Sequence, residues 1–402
     1  MLSIRSSGRL PGRFYAISIS SFFFQLPRFM VQPVFALYLI EMGASLTEVG
    51  LILSIRSMLM LFLRIPLTLV TQRLGKGRMI KLAFLVQATT YMVYYLAPTY
   101  IWFFLIPFYQ IIATGSFNQL ALSEVTNAAP DTRQGDAIGQ YMTYMHAGQI
   151  IGPLVASFLL RYIEYSGIFL VSALFPVIGF TLFMRAKFGE STDMAPEEPS
   201  EKVRNIGGLI ALKEVLSVKD VRLLAIVRSS YSLSNSIFLT LFPVWAVTDI
   251  QLSSSMVALM FAVIGFADVV VRIPIGKLAD KVGAKRIMFL TYILIIIDYA
   301  MVAYTRNFYL LSVWLFCYGA LSGIRAVLEW THLVSVVNPE SKSLSMSFLF
   351  NCWDIGAMVG SILAGYLTIF LPYQTLLLLT ALINVHNIPA IKAMKNVQKK
   401  DT

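Results

Sequence analysis

Ionisable side chains stand in the middle of segments that are otherwise strongly apolar. A charged side chain at the centre of an apolar, membrane-spanning helix costs about 2.5–3.5 kcal/mol on insertion scales, so each one requires a partner, a polar cavity or access to the interface. Arginines in such a setting can bind anions, and carboxylates and imidazoles can carry protons. The positions concerned are Arg28, Arg56, Arg64, His146, Arg228, Asp268, Arg272, Asp298, Arg325, Glu329 and Asp354.

Arg28 lies near the middle of the first apolar segment, between Gln25 and Gln32. The spacing i, i+3, i+7 puts these three side chains on one face of a helix. Because a side chain at that depth reaches the interface with difficulty, we predict that Arg28 lines a central cavity, opposite ionisable residues of the second half of the chain. The polar face is predicted to be either a substrate-binding surface or part of an internal ion pair.

Two pairs of opposite charges are spaced four residues apart, which allows each pair to meet on one helix face. Asp268 and Arg272 form the first pair. Arg325 and Glu329 form the second, and Trp330 follows it directly. The second pair is predicted either to neutralise itself or to hold a polar solute, so these three residues are candidates for a cavity wall.

The remaining arginines divide by their depth in the apolar segments. Arg64, Arg228 and Arg272 lie near segment ends, where long side chains can extend to the interface, and a structural role is predicted for them. Arg56 lies deeper in the second segment and is a further candidate for the cavity wall.

His146 and Asp354 occupy equivalent positions in two related halves of the chain, as the repeat described below shows. A buried carboxylate and an imidazole can each carry a proton, so both are candidates for proton coupling. The alternative for Asp354 is a fixed ion pair with Arg28 or Arg56.

Composition defines the class of protein that must position these residues. Hydrophobic residues make up 57% of the 402 residues and charged residues only 13%, which is about half the charge of a soluble domain. The chain is therefore predicted to be an integral membrane protein. Two cysteines and three histidines without zinc spacing predict neither a disulfide framework nor a metal site. No cofactor is expected, and the net charge of +11 is attributed to membrane topology rather than to nucleic acid.

One phrase occurs twice in a fixed register. Residues 64–78 read RIPLTLVTQRLGKGR, and residues 272–286 read RIPIGKLADKVGAKR. Apolar windows long enough to cross about 30 Å of hydrocarbon can be placed twelve times, six in each half. The predicted organisation is a half at 1–186, a linker at 187–222 and a half at 223–402. The predicted spans are 14–39, 47–71, 79–98, 101–123, 138–161, 166–186, 223–248, 255–278, 287–305, 308–331, 345–370 and 373–391.

Basic residues predict the orientation in the membrane. All lysines fall on segments that lie on the same side as the termini and the linker, and the opposite loops carry only Arg161 and Arg306. Because cytoplasmic loops are enriched in Lys and Arg, both termini are predicted to be cytoplasmic in a plasma-membrane protein. The excess positive charge suits the anionic lipid of the inner leaflet.

The repeated phrase resembles the loop signature of the major facilitator superfamily, G-x-L-A-D-[RK]-x-G-x-[RK]-[RK]. The resemblance extends over nearly the whole chain, with Thr68 and Gln72 replacing the glycine and aspartate in the first copy. It implies an all-α membrane protein with 12 transmembrane helices in two six-helix pseudo-repeats, and a conformational latch in the second copy. The matching residues are Gly276, Leu278, Ala279, Asp280, Lys281, Gly283, Lys285 and Arg286.

A second phrase resembles one that is common among the family's drug and metabolite antiporters. Gly148, Gly152 and Pro153 match G-x-x-x-G-P-x-x-G, with Ala156 at the last glycine. The alternative is ordinary close packing of helices through small residues. At Gln110 the family often has an arginine that assists proton coupling, so the resemblance does not extend to that position.

The resemblance implies secondary active transport of a small organic solute by alternating access, coupled to an ion gradient, with the proton as the expected ion. An efflux antiporter is one form, and a uniporter or symporter of an organic anion is the alternative. A multi-pass membrane enzyme is the alternative of another class, but the sequence shows no catalytic constellation, so the chain is predicted not to be an enzyme. The absence of a P-loop argues against ATP-driven transport by this chain.

Overall fold

The computed structural model describes residues 10–129, 133–185, 215–338 and 341–396, and these residues form helices and short connections without a strand. The first half contains α1 (Gly12–Val31), α2 (Phe35–Glu41), α3 (Leu46–Leu74), α4 (Lys76–Leu96), α5 (Trp102–Thr114), α6 (Phe117–Ala128), α7 (Gln134–Leu159) and α8 (Tyr165–Arg185). The second contains α9 (Lys219–Thr248), α10 (Ser254–Val282), α11 (Ala284–Tyr304), α12 (Phe308–Val336), α13 (Lys342–Leu367), α14 (Tyr373–Val385) and α15 (Asn387–Ala393).

Each predicted span coincides with one helix or with two consecutive helices. The first span is the pair α1 and α2, which meet at a bend of 48°. Pro33 lies at this bend and cannot donate a backbone hydrogen bond, which explains why the helix breaks there. Most of the predicted linker lies outside the described residues. Its last residues, from Lys219, belong to α9, which begins four residues before the predicted span.

Eight of the described helices are each long and apolar enough to cross a membrane, or nine if α1 and α2 are counted as one span. Neither α7 nor α9 is among them, although both are long. Both helices carry polar and charged residues, which lower their mean hydropathy although each helix lies within the bundle.

The two halves repeat one packing pattern. In the first half α1 packs against α7 and α8, and α4 packs against α8. In the second half α9 packs against α13 and α14, and α11 packs against α14. Because the partners follow in the same order along each half, the structure confirms the two six-helix repeats that the repeated phrase predicts.

Two seams join the halves, one between α3 and α13 and the other between α7 and α10. We call the outer end the end of the bundle that carries the connections 42–45, 160–164, 249–253 and 368–372, which the lysine distribution predicts to be extracellular. Near this end Gly50 of α3 faces Ser361 and Gly365 of α13 so closely that an added Cβ would overlap backbone atoms. Small residues thus bring the two helices into backbone contact.

The repeated phrase forms the sharp turn between two helices in each half. Gly75 and Gly283 have φ values of +84° and +91°, and each one ends a long helix and begins the next. Glycine adopts this conformation without the strain that a Cβ would introduce. The turn requires a positive φ at this position, which explains why both copies of the phrase have a glycine there.

The predicted latch is only partly described. Lys281 and Arg286 are exposed, and Lys285 donates to the carbonyl oxygens of Lys392 and Met394 in the C-terminal segment. The side chain of Asp280 lies outside the described residues. A Cβ at Gly276 would meet none of the described atoms within 4 Å.

Gly148 and Gly152 pack α7 against α1 within the first half. A Cβ at Gly148 would lie 3.2 Å from the Phe29 ring, and one at Gly152 would lie 2.9 Å from the backbone nitrogen of Met30. Pro153 lies inside α7, directly after this contact. The phrase thus has a packing role in this structure, which is the alternative that the sequence left open.

The contact between α3 and α13 near the outer end provides a direct test of close packing. Gly50→Ala should destabilise the protein by about 1–3 kcal/mol, because the neighbouring backbone of α13 cannot move aside as a side chain could. Thermal unfolding of the purified protein measures the effect. Gly139→Ala in α7 is the matched control, since its Cβ would meet nothing within 4 Å. Equal unfolding temperatures for the two variants would contradict the assignment of this seam.

Candidate functional site

A cavity of about 400 Å³ lies in the centre of the bundle, between the two halves. Both halves contribute to its wall, mainly through α1, α3, α4 and α5 on one side and α9 and α13 on the other. Its polar and charged wall residues are Arg28, Gln32, Arg56, Ser57, Arg64, Gln110, Thr114, Asn118, Ser236, Thr240, Asp354 and Ser361.

Arg28 lines this cavity from the first half. Its side chain is exposed to the cavity although it lies deep within the bundle. Arg56 of α3 lines the same cavity and is close enough to Arg28 for the two positive charges to repel each other. Both charged side chains therefore lie deep in the bundle without contacting hydrocarbon, because they face a polar cavity.

An ion pair between Arg64 and Asp354 crosses the seam between α3 and α13. One guanidinium nitrogen of Arg64 lies 2.5 Å from the carboxylate of Asp354, and another donates to the Asn351 side chain at 3.0 Å. Arg64 does not need to extend to the interface, because its partner lies on the opposite helix, and the ion pair agrees with the structural role predicted for it. The structure likewise pairs Asp354 with Arg64 and not with Arg28 or Arg56.

Amide side chains complete the polar wall. Gln32 and Gln110 line the cavity directly. Gln25 lies behind the wall, where its amide nitrogen donates to the Asn118 side chain at 2.5 Å, and Asn118 reaches the cavity. The predicted face of α1 is thus divided between two residues that line the cavity and one that holds a neighbour in place.

Aromatic rings form the rest of the wall. Phe35, Tyr91 and Tyr94 contribute from the first half, and Phe350 contributes from α13. Phe350 also lies beside the guanidinium of Arg64, with 5.7 Å between the guanidinium carbon and the ring centroid. Amphipathic rings next to hydrogen-bond donors suit an organic solute that has a polar group and an apolar body.

Arg325 and Glu329 lie outside the cavity wall, in a buried charge cluster of the second half. Glu329 accepts from Arg325 at 2.6 Å, from Arg228 at 2.7 Å and from the Tyr292 hydroxyl at 2.9 Å. The predicted pairing of Arg325 with Glu329 is therefore confirmed. Arg228 has the structural role predicted for it, but inside the bundle and not at the interface, because Glu329 and the carbonyl oxygen of Leu349 bind its guanidinium there.

Aromatic faces also stabilise this cluster. The guanidinium of Arg228 lies 4.4 Å from the centroid of Trp330, and that of Arg325 lies 3.9 Å from the centroid of Tyr231. Such cation–π contacts are strongest when the cation is removed from water. Trp330, like Arg325 and Glu329, thus packs within the cluster and does not line the cavity in this structure.

His146 belongs to the second seam rather than to the cavity wall. It lies on α7, close enough to Arg272 of α10 for their charges to interact. Arg272 pairs with Asp268 at 2.8 Å, as their spacing predicts. The structure therefore assigns His146 and Asp354 to different seams, α7–α10 and α3–α13.

A buried contact between a histidine and a carboxylate lies near the inner end. His332 of α12 and Asp220 of α9 are both buried, with 3.0 Å between the ring nitrogen and the carboxylate. Asp220 also accepts from the backbone nitrogen of Lys395, which ties the C-terminal segment to the bundle. The partners come from three separate segments, so no local spacing could have indicated the contact.

The fold and the cavity together define a membrane transporter made of two six-helix halves around a central site. The Major Facilitator Superfamily profile matches residues 17–324 and 224–392, so the chain belongs to this family of multi-pass secondary transporters. It is 22% identical over 365 residues to the MFS-type transporter MJ1560 of Methanocaldococcus jannaschii, covering 90% of this chain and 92% of that protein.

Two further similarities extend the comparison. Multidrug resistance protein MdtG of Klebsiella pneumoniae is 26% identical over 289 residues, which cover 70% of this chain and 68% of MdtG. The crystal structure of the nucleoside transporter NupG superposes with a TM-score of 0.78 at 16% identity, covering 95% of this chain and 99% of that structure. At this identity the superposition shows a shared fold.

The ion pair across the seam can be measured by a double-mutant cycle. Arg64→Ala and Asp354→Ala should each destabilise the protein, and the double variant should lose less than the sum of the two. We expect a coupling free energy of about 0.5–3 kcal/mol, since the two groups are in direct contact. Chemical unfolding of the four proteins gives this quantity. Strict additivity would contradict the pairing of these residues.

Proposed function

We propose that the protein moves a small organic solute across the plasma membrane by alternating access. The observation that carries this proposal is a polar and aromatic cavity whose wall comes from both halves of the bundle. Rocking of the halves about such a site exposes it first to one side and then to the other. Both termini and the linker are proposed to be cytoplasmic.

The contacts near the outer end support a conformation in which the cavity is closed on that side. Ser157 and Ser255 each donate to the other's carbonyl oxygen, at 2.8 and 2.6 Å. The hydroxyl of Thr47 donates to the carbonyl oxygen of Gly365 across the other seam. Neutral hydrogen bonds contribute about 0.5–1.5 kcal/mol each, so the seam can close and reopen without a large barrier.

Asp354 is the group proposed to couple transport to protons. Its carboxylate lies in the cavity wall and pairs with Arg64 of the other half. Protonation removes the negative charge, which releases Arg64 and weakens the contact between α3 and α13. A proton on Asp354 would therefore change the balance between conformations, which is what coupling requires. His146, at the second seam, is a further candidate for the same role.

Efflux in exchange for protons is the form of transport that the relatives favour, since MdtG is named as a multidrug resistance protein. Uniport or symport of an organic anion is the alternative that the arginines of the cavity favour. The family match favours a transporter over a membrane enzyme.

Purified protein in liposomes tests the proposal. A panel of radiolabelled organic solutes, with and without a pH gradient, should identify at least one solute whose uptake follows the gradient. Asp354→Asn should abolish the response to the gradient while solute exchange continues, because the asparagine cannot release a proton. Asp249→Asn, at an exposed site of the outer end, is the matched control. An unchanged response in Asp354→Asn would exclude this residue as the coupling group, and transport of no solute would contradict the proposed function.

A further inference from the structure

The six arginines that the sequence places inside apolar segments fall into two groups. Four of them form ion pairs with carboxylates inside the bundle: Arg64, Arg228, Arg272 and Arg325. In the residues that the structure describes, neither Arg28 nor Arg56 has a carboxylate oxygen within 4.0 Å. Both of these arginines line the central cavity from the first half.

The nearest acid in the cavity cannot neutralise this pair. Asp354 already binds Arg64 at 2.5 Å, so one negative charge faces three guanidinium groups. Arg28 and Arg56 line the same cavity, so their like charges repel each other. An uncompensated pair of positive charges deep in a membrane protein is costly, and such groups are typically retained because they act on a ligand.

We infer that Arg28 and Arg56 bind the anionic group of the transported solute, which makes the solute class an organic anion. This inference rests on the proposed function and specifies its substrate. Two planar guanidinium groups on the same side of the cavity offer several donors to one carboxylate, sulfonate or phosphate group. The anion supplies the charge that the protein itself lacks at this position.

The rest of the cavity wall is aromatic and amide-lined, which suits the uncharged part of an organic anion. Tyr91 and Tyr94 line the cavity from the same half as the two arginines, and Phe350 contributes from the second half. The amide groups of Gln32 and Gln110 add neutral donors and acceptors. A volume of about 400 Å³ lies at the small end of ligand pockets, which favours a compact anion with one aromatic or apolar body.

If Arg56 repels Arg28 and also binds an anion, replacing it should make the empty protein more stable and anion binding weaker. Arg56→Gln should raise the unfolding temperature of the empty protein, because it removes the repulsion with Arg28. The same change should weaken anion binding roughly 10- to 100-fold, since a hydrogen bond to a charged group is lost. A purely structural arginine would lower the unfolding temperature and leave ligand selectivity unchanged. Arg28→Lys should keep the charge and still weaken binding, because an ammonium lacks the planar fork of donors.

The experiment compares anions with neutral partners of the same shape. Unfolding temperature is recorded for the purified protein in lipid nanodiscs at constant pH and ionic strength. The probes are naphthoate against naphthamide and naphthalenesulfonate against naphthalenesulfonamide. Wild type should be stabilised by at least one anion and not by its neutral partner, and both Arg28→Gln and Arg56→Gln should lose that selectivity. Arg73→Gln is the matched control, since Arg73 lies on α3 with Arg56 but is exposed outside the cavity.

Two results would overturn the inference. One is a wild-type protein that anions and neutral partners stabilise alike, or that neither stabilises. The other is anion selectivity that persists in both Arg28→Gln and Arg56→Gln. Transport of neutral solutes in liposomes would then leave the proposed function intact while its substrate class changed, so the two failures are distinguishable.

Discussion

Every charge inside the bundle must be neutralised or must face a polar space, because hydrocarbon cannot solvate it. In the second half Glu329 neutralises both Arg228 and Arg325. The rings of Trp330 and Tyr231 pack against the two guanidinium groups. At the seam Asp354 neutralises Arg64. Arg28 and Arg56 face the cavity. The helices are arranged so that each of these charged side chains reaches an ion-pair partner or the cavity.

The same constraint links structure to transport. A pair that joins two halves, such as Arg64 with Asp354, stabilises the arrangement seen here and, in the proposed cycle, would break in the other. A pair within one half, such as Arg228 with Glu329, can persist throughout and keep that half rigid. Close approach of glycine to backbone at the seams limits the halves to discrete positions, since packed surfaces do not deform continuously.

The sequence predicts the fold well, because apolar windows and a repeated phrase can be read directly from the order of the residues. It also predicts the pairs Asp268–Arg272 and Arg325–Glu329, whose members lie one helical turn apart. Position along a helix gives the depth of Arg64 and Arg228 in the membrane, but it does not give their partners, which lie on other helices. The cavity wall likewise depends on which face each helix presents, so spacing along one helix cannot show that Arg64 lines the wall.

The central claim is that the halves move against each other around the cavity, and distances at its two ends test it most directly. Spin labels at Met42 and Leu371 report on the outer end, and labels at Arg73 and Asn338 report on the inner end. Pulsed electron paramagnetic resonance should find that a transported solute lengthens the outer distances as it shortens the inner ones. Distances that change together at both ends, or remain fixed at both while transport proceeds, would contradict alternating access by this chain.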